Sequence, residues 1–379
     1  MSMEPLTSLT PDQPLPHIVV LTTGGTIVSS SASATQMTGY SLQGVTVDEL
    51  LRGVPGLADV ARVSVEAVAN IDSSSMTSAV WMTLAERVMA YARQDDVDGI
   101  VITHGTDTLE ETAYFLTLTL TTEKPVVITG AMRPSTALSA EGPLNLLNAI
   151  RVATHPSTKG RGVIVALNDT LLSGRDATKT HPTNVATFRA PDAGVLGLIA
   201  GNELHWLNQS AARHAPDAPF PLPQLQAYVA HHGRFPRVDI LTSHVDDDAV
   251  FVNAALAAGA QGLVHAGTGN GSIHEQTEGA LLEAAKRGVL VVRASRTGSG
   301  ACVSGLATWE DAGFIASGTL NPAKARVLLQ LILMTVPVPP SATTTLILKR
   351  SILHVTPIER ARLLTLFVRH RLSETRPKA

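Results

Sequence analysis

Short apolar runs alternate along this chain with longer stretches whose apolar residues recur every three or four positions. His17–Leu21, Gly99–Thr103, Pro125–Thr129 and Gly162–Leu167 are runs rich in valine, isoleucine and leucine, the pattern of strands buried on both faces. Between them, Ala79–Arg93, Thr108–Leu120 and Pro143–Thr154 carry helical periodicity, with Leu109, Ala113, Leu116 and Leu120 marking one face of the second. Strands of this kind joined through helices predict a mostly parallel sheet with helices on both sides. The alternation stops around residues 206–236, where Ala215 to Pro223 holds four prolines in nine residues and reads as a linker. It resumes with strand Val238–Leu241, helix Ala249–Ala258, strand Gly262–Ala266, helix Thr277–Arg287, strand Val289–Ala294 and helix Pro322–Met334. Asn321, directly before Pro322, has the chemistry of a helix cap followed by proline in the first turn.

The pattern predicts an α/β protein of two domains: a larger N-terminal one, its mostly parallel sheet flanked by helices, and a smaller C-terminal α/β one. The expected boundaries are an N-terminal extension 1–16, a first domain 17–205, the linker 206–236, a second domain 237–336 and a basic tail 337–379. That tail sets eight lysines and arginines against Glu359 and Glu374. Ile358, Leu363, Leu364 and Phe367 would line one face of a basic amphipathic helix, suited to a membrane surface or a partner. The alternative is an accessory or disordered tail.

Composition changes the picture mainly by exclusion. With 29 Lys+Arg against 32 Asp+Glu there is no basic excess to hold a phosphate backbone, and 4% aromatics offers few base-stacking platforms, so no nucleic-acid partner is expected. One cysteine, Cys302, rules out an intrachain disulfide and a cysteine-rich metal site. The 13 histidines are scattered with no H-E-x-x-H pair, so no metal is expected. G-x-G-x-x-G and G-x-x-x-x-G-K are both absent, which makes a dinucleotide or ATP site the lesser reading and leaves no cofactor expected. Met1–Pro16 has neither a basic start nor an apolar core, so the expected location is cytoplasmic. The apolar run Val327–Val336 contains Gln330 and stops at Pro337, too short to span a bilayer, and no membrane association of the body is expected.

The candidate chemistry sits where predicted strands end. Thr103-His104-Gly105-Thr106-Asp107-Thr108 follows one strand and opens a helix, and Thr22-Thr23-Gly24-Gly25-Thr26 follows another. Open α/β sheets bind ligands beyond the carboxyl ends of their strands, so hydroxyls and a carboxylate at such turns suggest a hydroxyl nucleophile site. The two glycines before Thr26 permit a sharp bend and a close approach to a ligand. Lys179, in Gly174-Arg175-Asp176-Ala177-Thr178-Lys179, is either a proton relay near Asp107 or a solvated surface lysine. Asp72-Ser73-Ser74-Ser75 is either a carboxylate-binding turn or a helix cap.

Together, Thr23-Gly24-Gly25-Thr26-Ile27, His104-Gly105-Thr106-Asp107-Thr108, Gly130-Ala131-Met132-Arg133-Pro134, Gly174-Arg175-Asp176 with Lys179, Gly318-Thr319-Leu320-Asn321-Pro322 and Lys324-Ala325-Arg326 resemble the bacterial L-asparaginases. The likeness runs over about residues 17–336, nearly the whole two-domain body, and the motifs in this order are highly specific. The resemblance implies hydrolysis of L-asparagine to L-aspartate and ammonia through an acyl-threonine. It implies Thr26 as the first nucleophilic threonine, Tyr40 as a lid tyrosine that activates it, and Thr106, Asp107 and Lys179 as a second group that activates water or the nucleophile. It further implies Ser73, with Ser74 beside it, at the substrate α-carboxylate, Asp107 at the α-ammonium, and Thr106 as a further substrate-binding residue. Asn270, in Gly269-Asn270-Gly271, matches a residue lent by a neighbouring subunit, so a homotetramer or a dimer with shared sites is expected.

Two departures stand out. Many secreted members carry glutamine where this chain has Ser74, and Asp72-Ser73-Ser74 resembles the cytoplasmic members instead. The stretch Thr297–Thr308 has no acidic residue where relatives place a glutamate near the lid tyrosine; Glu310 is the nearest. The alternatives are a mixed asparaginase/glutaminase acting also on L-glutamine, a non-catalytic amino-acid sensor on the same fold, and an ammonia-donating subunit of a tRNA-dependent amidotransferase.

Overall fold

The computed structural model of the protein describes residues 4–5, 14–29, 33–35, 47–210 and 218–335. Tyr40 and the basic tail 337–379 lie outside the described residues. The chain divides into two compact units, Met1–Phe235 and Pro236–Ala379.

In chain order the first unit holds β1 (Glu4–Pro5), β2 (His17–Thr22), α1 (Val47–Arg52), β3 (Arg62–Ala67), α2 (Ser78–Ala92), β4 (Gly99–Thr103), α3 (Leu109–Thr119), β5 (Val126–Thr129) and α4 (Gly142–Thr154). There follow β6 (Val163–Leu167), β7 (Thr170–Ser173), β8 (Thr178–Lys179), β9 (Phe188–Arg189), β10 (Gly197–Ala200), β11 (Glu203–Trp206) and α5 (Leu222–His232). Nine strands form one sheet in the order β1-β11-β10-β7-β6-β5-β4-β2-β3, while β8 and β9 pair by themselves. From β3 to β6 every neighbour is parallel. Beyond β6 the sheet continues antiparallel through β7, β10, β11 and β1.

The order of the parallel strands has one functional consequence. From β2 the chain crosses to β3 on one side, then returns to β4 on the other. Connections leaving adjacent strands in opposite directions open a crevice beyond their carboxyl ends. That crevice lies between β2 and β4, whose last paired residues are Thr22 and Thr103.

The strands of this half are wholly buried in β4, β5 and β6 because helices cover both faces. On one face Val20, Val101, Val127 and Ile164 pack with Leu146 and Ile150 of α4. On the other, α2 and α3 meet through Trp81 stacked on Phe115, ring centroids 5.2 Å apart. Each fully buried side chain of this size contributes about 1.5–3 kcal/mol.

The second unit holds β12 (Val238–Thr242), α6 (Val250–Ala257), β13 (Gly262–Gly267), α7 (Glu275–Lys286), β14 (Leu290–Ser295), α8 (Ala307–Asp311), β15 (Ile315–Ala316) and α9 (Pro322–Thr335). Its sheet, β12-β13-β14-β15, is parallel throughout. Leu263, Leu281, Val291 and Phe314 centre its core. Asn321 caps α9 as its chemistry suggests, its Oδ1 accepting from Lys324 N at 2.9 Å.

Two features depart from the pattern reading. The stretch expected as a linker is helical over Leu222–His232, with Leu222 and Leu225 buried. Pro221 and Pro223 sit at the helix start, where no N–H is needed, and so begin a helix instead of preventing one. The short strands β3, β7, β10 and β11 were not anticipated: β7, β10 and β11 have four residues each, too few for periodicity to separate strand from turn, and the alternation of β3 was not singled out. Among the described residues no helix is long and apolar enough to cross a membrane.

Candidate active site

Two βα turns face each other across the crevice. Gly24 and Gly25 follow β2 at φ +97° and +95°, a region open to glycine, and deliver Thr26 into a single turn of 3-10 helix. A Cβ built on Gly25 would lie 2.5 Å from Gly105 N and Cα, so the Thr26 turn rests directly on the turn of Thr106. Thr23 fastens the two strands, its N and Oγ1 each donating to Thr103 O at 3.1 Å. Thr26 and Thr106 are both buried.

Lys179 joins this cluster from a distant part of the chain. Its Nζ donates to Thr106 Oγ1 at 2.9 Å and to Asp107 Oδ1 at 2.5 Å. The lysine side chain is 15% exposed, whereas that of Asp107 is 58% exposed. Of the two sequence readings for Lys179, the solvated surface lysine is therefore overturned. Its backbone is set by pairing of β8 with β9 and by Lys179 N donating to Glu110 Oε2 at 2.8 Å, in the first turn of α3. Glu110 was not singled out from the sequence; an acid in a first helical turn has a sufficient reason in the helix dipole alone.

Ser73 completes the floor. It is buried, and its Oγ accepts from Asp107 N at 3.1 Å, while Thr108 Oγ1 donates to Ser73 O at 2.7 Å. Because Ser73 Oγ accepts there, its own hydroxyl hydrogen is left to donate. The helix cap is Asp72, whose Oδ1 accepts from Ser74 N at 3.1 Å; Ser74 itself is exposed.

Beneath the Thr106 turn lies a buried polar chain that sequence reading missed. Trp81 Nε1 donates to Thr112 Oγ1 at 2.8 Å, Thr112 Oγ1 lies 2.9 Å from His104 Nε2, and His104 Nδ1 lies 2.7 Å from Gly105 O. Burial pushes the His104 imidazole down to about 4, opposed by the Gly105 carbonyl. No spacing rule links residues 81, 104 and 112, because three separate elements bring them together.

In the second unit, Asn270 lies in the turn after β13. Its Oδ1 accepts from Val303 N at 2.8 Å and its Nδ2 lies 3.5 Å from Ser304 O. Arg293, buried in β14, donates to Asn270 O at 3.0 Å, Gly271 O at 3.3 Å and Val303 O at 2.7 Å, and its guanidinium lies over the Trp309 ring. Glu310 Oε1 accepts from Gly305 N at 3.3 Å, in the same loop. No group of three or more metal-ligating side chains occurs among the described residues.

Hydroxyls, an amine and a carboxylate gathered at the switch point of a parallel sheet place the chain among α/β hydrolytic enzymes. Comparison with known proteins narrows the class. A family model described as "Asparaginase, N-terminal" matches residues 17–212, and one described as "Glutaminase/Asparaginase C-terminal domain" matches residues 237–339. The chain belongs to the asparaginase family. It is 46% identical to L-asparaginase 2 of Escherichia coli over 84% of this chain and 89% of that protein. It is 43% identical to a glutaminase-asparaginase of Pseudomonas aeruginosa over 84% and 86% of the two chains. Among solved structures, one titled a probable cytoplasmic L-asparaginase from Campylobacter jejuni matches with a TM-score of 0.82 and 41% identity, covering 90% of this chain and all of that one.

Proposed function

We propose that this chain hydrolyses the side-chain amide of L-asparagine to L-aspartate and ammonia, with Thr26 as the nucleophile. The observation that carries the reading is Lys179 Nζ shared between Thr106 Oγ1 and Asp107 Oδ1, beside the turn that presents Thr26. A threonine hydroxyl needs a base to attack an amide, and Tyr40 fills that role for Thr26 on the family resemblance. Attack by Thr26 Oγ on the amide carbon forms a tetrahedral oxyanion. Thr106 N–H is a fitting donor to it, and one such donor contributes on the order of 3–4 kcal/mol. Collapse breaks the C–N bond, the nitrogen leaves with the proton taken from Thr26, and an acyl-threonine remains. A water molecule, deprotonated through Thr106 and Lys179, attacks the ester; aspartate departs and Thr26 regains its proton.

Ser73 and Asp107 suit the zwitterionic end of the substrate. The spare hydroxyl hydrogen of Ser73 can meet the α-carboxylate, and the exposed Asp107 carboxylate the α-ammonium. Asn270, by this reading, completes the site of a neighbouring subunit in a homotetramer or shared-site dimer. The Asp72-Ser73-Ser74 turn supports a cytoplasmic location.

The test is ammonia release from L-asparagine by purified protein and by Thr26→Ala, which loses at least about 10³-fold in kcat. Normal turnover by that variant removes Thr26 from the role. The glutaminase-asparaginase relatives favour a second reading, mixed specificity, which ammonia release from L-glutamine decides.

A further inference from the structure

The buried chain under the Thr106 turn has only one consistent arrangement of protons. An indole N–H can only donate and a carbonyl can only accept. Gly105 O can only accept, so the ring proton sits on Nδ1 and goes to it. Nε2 of the neutral ring is then an acceptor and takes the single hydrogen of Thr112 Oγ1, which in turn accepts from Trp81 Nε1. The ring is fully enclosed and its pKa is held well below the usual histidine range, which keeps it neutral and in this tautomer.

The carbonyl at the end of the chain belongs to the same peptide unit as Thr106 N–H. In a trans peptide the two bonds point in opposite directions, so fixing one aims the other. No hydrogen bond from Thr106 N–H is formed among the described residues. The peptide also has no room to turn. Gly25 presses on Gly105 from one side, and a Cβ on Gly105 would meet Ser73 Oγ at 2.6 Å on another.

We infer that His104, Thr112 and Trp81 are positioning residues, a one-way hydrogen-bond chain that aims Thr106 N–H at the oxyanion of the reacting amide. The inference rests on the asparaginase reading and adds to it the source of the donor's alignment. None of the three side chains touches substrate; they act through the Gly105–Thr106 peptide.

The test compares kcat and KM for L-asparagine in His104→Leu, His104→Asn, Thr112→Val and Thr112→Ser, with thermal midpoints alongside. Asparagine places an N–H close to the position of His Nδ1, so His104→Asn keeps kcat within about threefold, whereas His104→Leu loses about tenfold or more with KM changed less than about threefold. Thr112→Ser retains activity and Thr112→Val lowers kcat in the same manner. In ¹⁵N spectra of the parent protein His104 shows a protonated Nδ1 and an unprotonated Nε2 at neutral pH, a readout that does not need the variants to fold. Equal kcat in Leu and Asn variants, or a proton on Nε2, overturns the inference. An inactive parent protein instead overturns the asparaginase reading, which separates the two failures.

Discussion

Both units end parallel strands in polar turns, yet they use the polarity in opposite ways. At the carboxyl ends of β2 and β4, among the described residues, Ser73 keeps a hydroxyl hydrogen, Thr106 keeps an N–H and Asp107 keeps much of its carboxylate exposed. After β13 and β14, Arg293 gives its donors to Asn270 O, Gly271 O and Val303 O, and Asn270 closes its carboxamide onto Val303 and Ser304. A buried polar group is costly until it is paired, so these three bonds make a rigid clamp; of the Arg293 guanidinium nitrogens only Nε is left buried without a partner among the described residues. Groups left unpaired by the fold are instead held ready for a ligand. The first region stores binding capacity; in the second, Arg293 fixes the shape of the turn that carries Asn270.

Substitutions can break that contrast, and the largest expected effect falls in the first region. Lys179→Met removes the cation between Thr106 and Asp107, so kcat falls about 10²–10³-fold while the unfolding midpoint moves little. Arg293→Met strips three carbonyls of their buried donor, and urea denaturation shows a loss of about 3 kcal/mol. If the lysine variant lost stability and kept its rate, or the arginine variant kept its stability, the assignment of roles would have to be reversed.

A pH series sharpens the comparison with a smaller effect. Burial holds His104 at about 4 against an ordinary 6.5, and burial also lowers His265 in the second unit. The unfolded chain binds protons that the folded rings refuse. Their stabilisation is therefore complete above the unfolded pKa and falls as pH drops from 6.5 toward 4, by up to about 3 kcal/mol for His104. Urea midpoints measured at about pH 7.5 and about pH 4.5 should differ accordingly, and His104→Asn should reduce that slope. A slope unchanged in that variant would assign the pH dependence to the second unit instead.

Much of the fold was legible because buried parallel strands and their helices have distinct periods. β2, β4, β5 and β6, with α2, α3 and α4 between them, fall within a few residues of the apolar runs that predict them. Asn321 could be read as a cap since capping needs only its immediate neighbours. The antiparallel strands β7, β10 and β11 escaped, being only four residues long, and α5 was hidden among prolines. At the site, Thr26 and Thr106 announced themselves through glycine-bracketed turns. Lys179 stayed ambiguous, and His104, Thr112 and Glu110 gave no signal, because nothing local sets their partners.

The sequence alone determined where strands and helices lie, which turns carry hydroxyls, and to which family those turns belong, since each depends on neighbours within a few positions. Only the tertiary structure decided that β2 and β4 lie side by side at the switch point, that Lys179 reaches across 72 positions to Asp107, and that a buried imidazole anchors the Gly105 carbonyl. Strand order and proton direction are properties of packed, desolvated contacts between remote segments, and no periodicity along the chain records them.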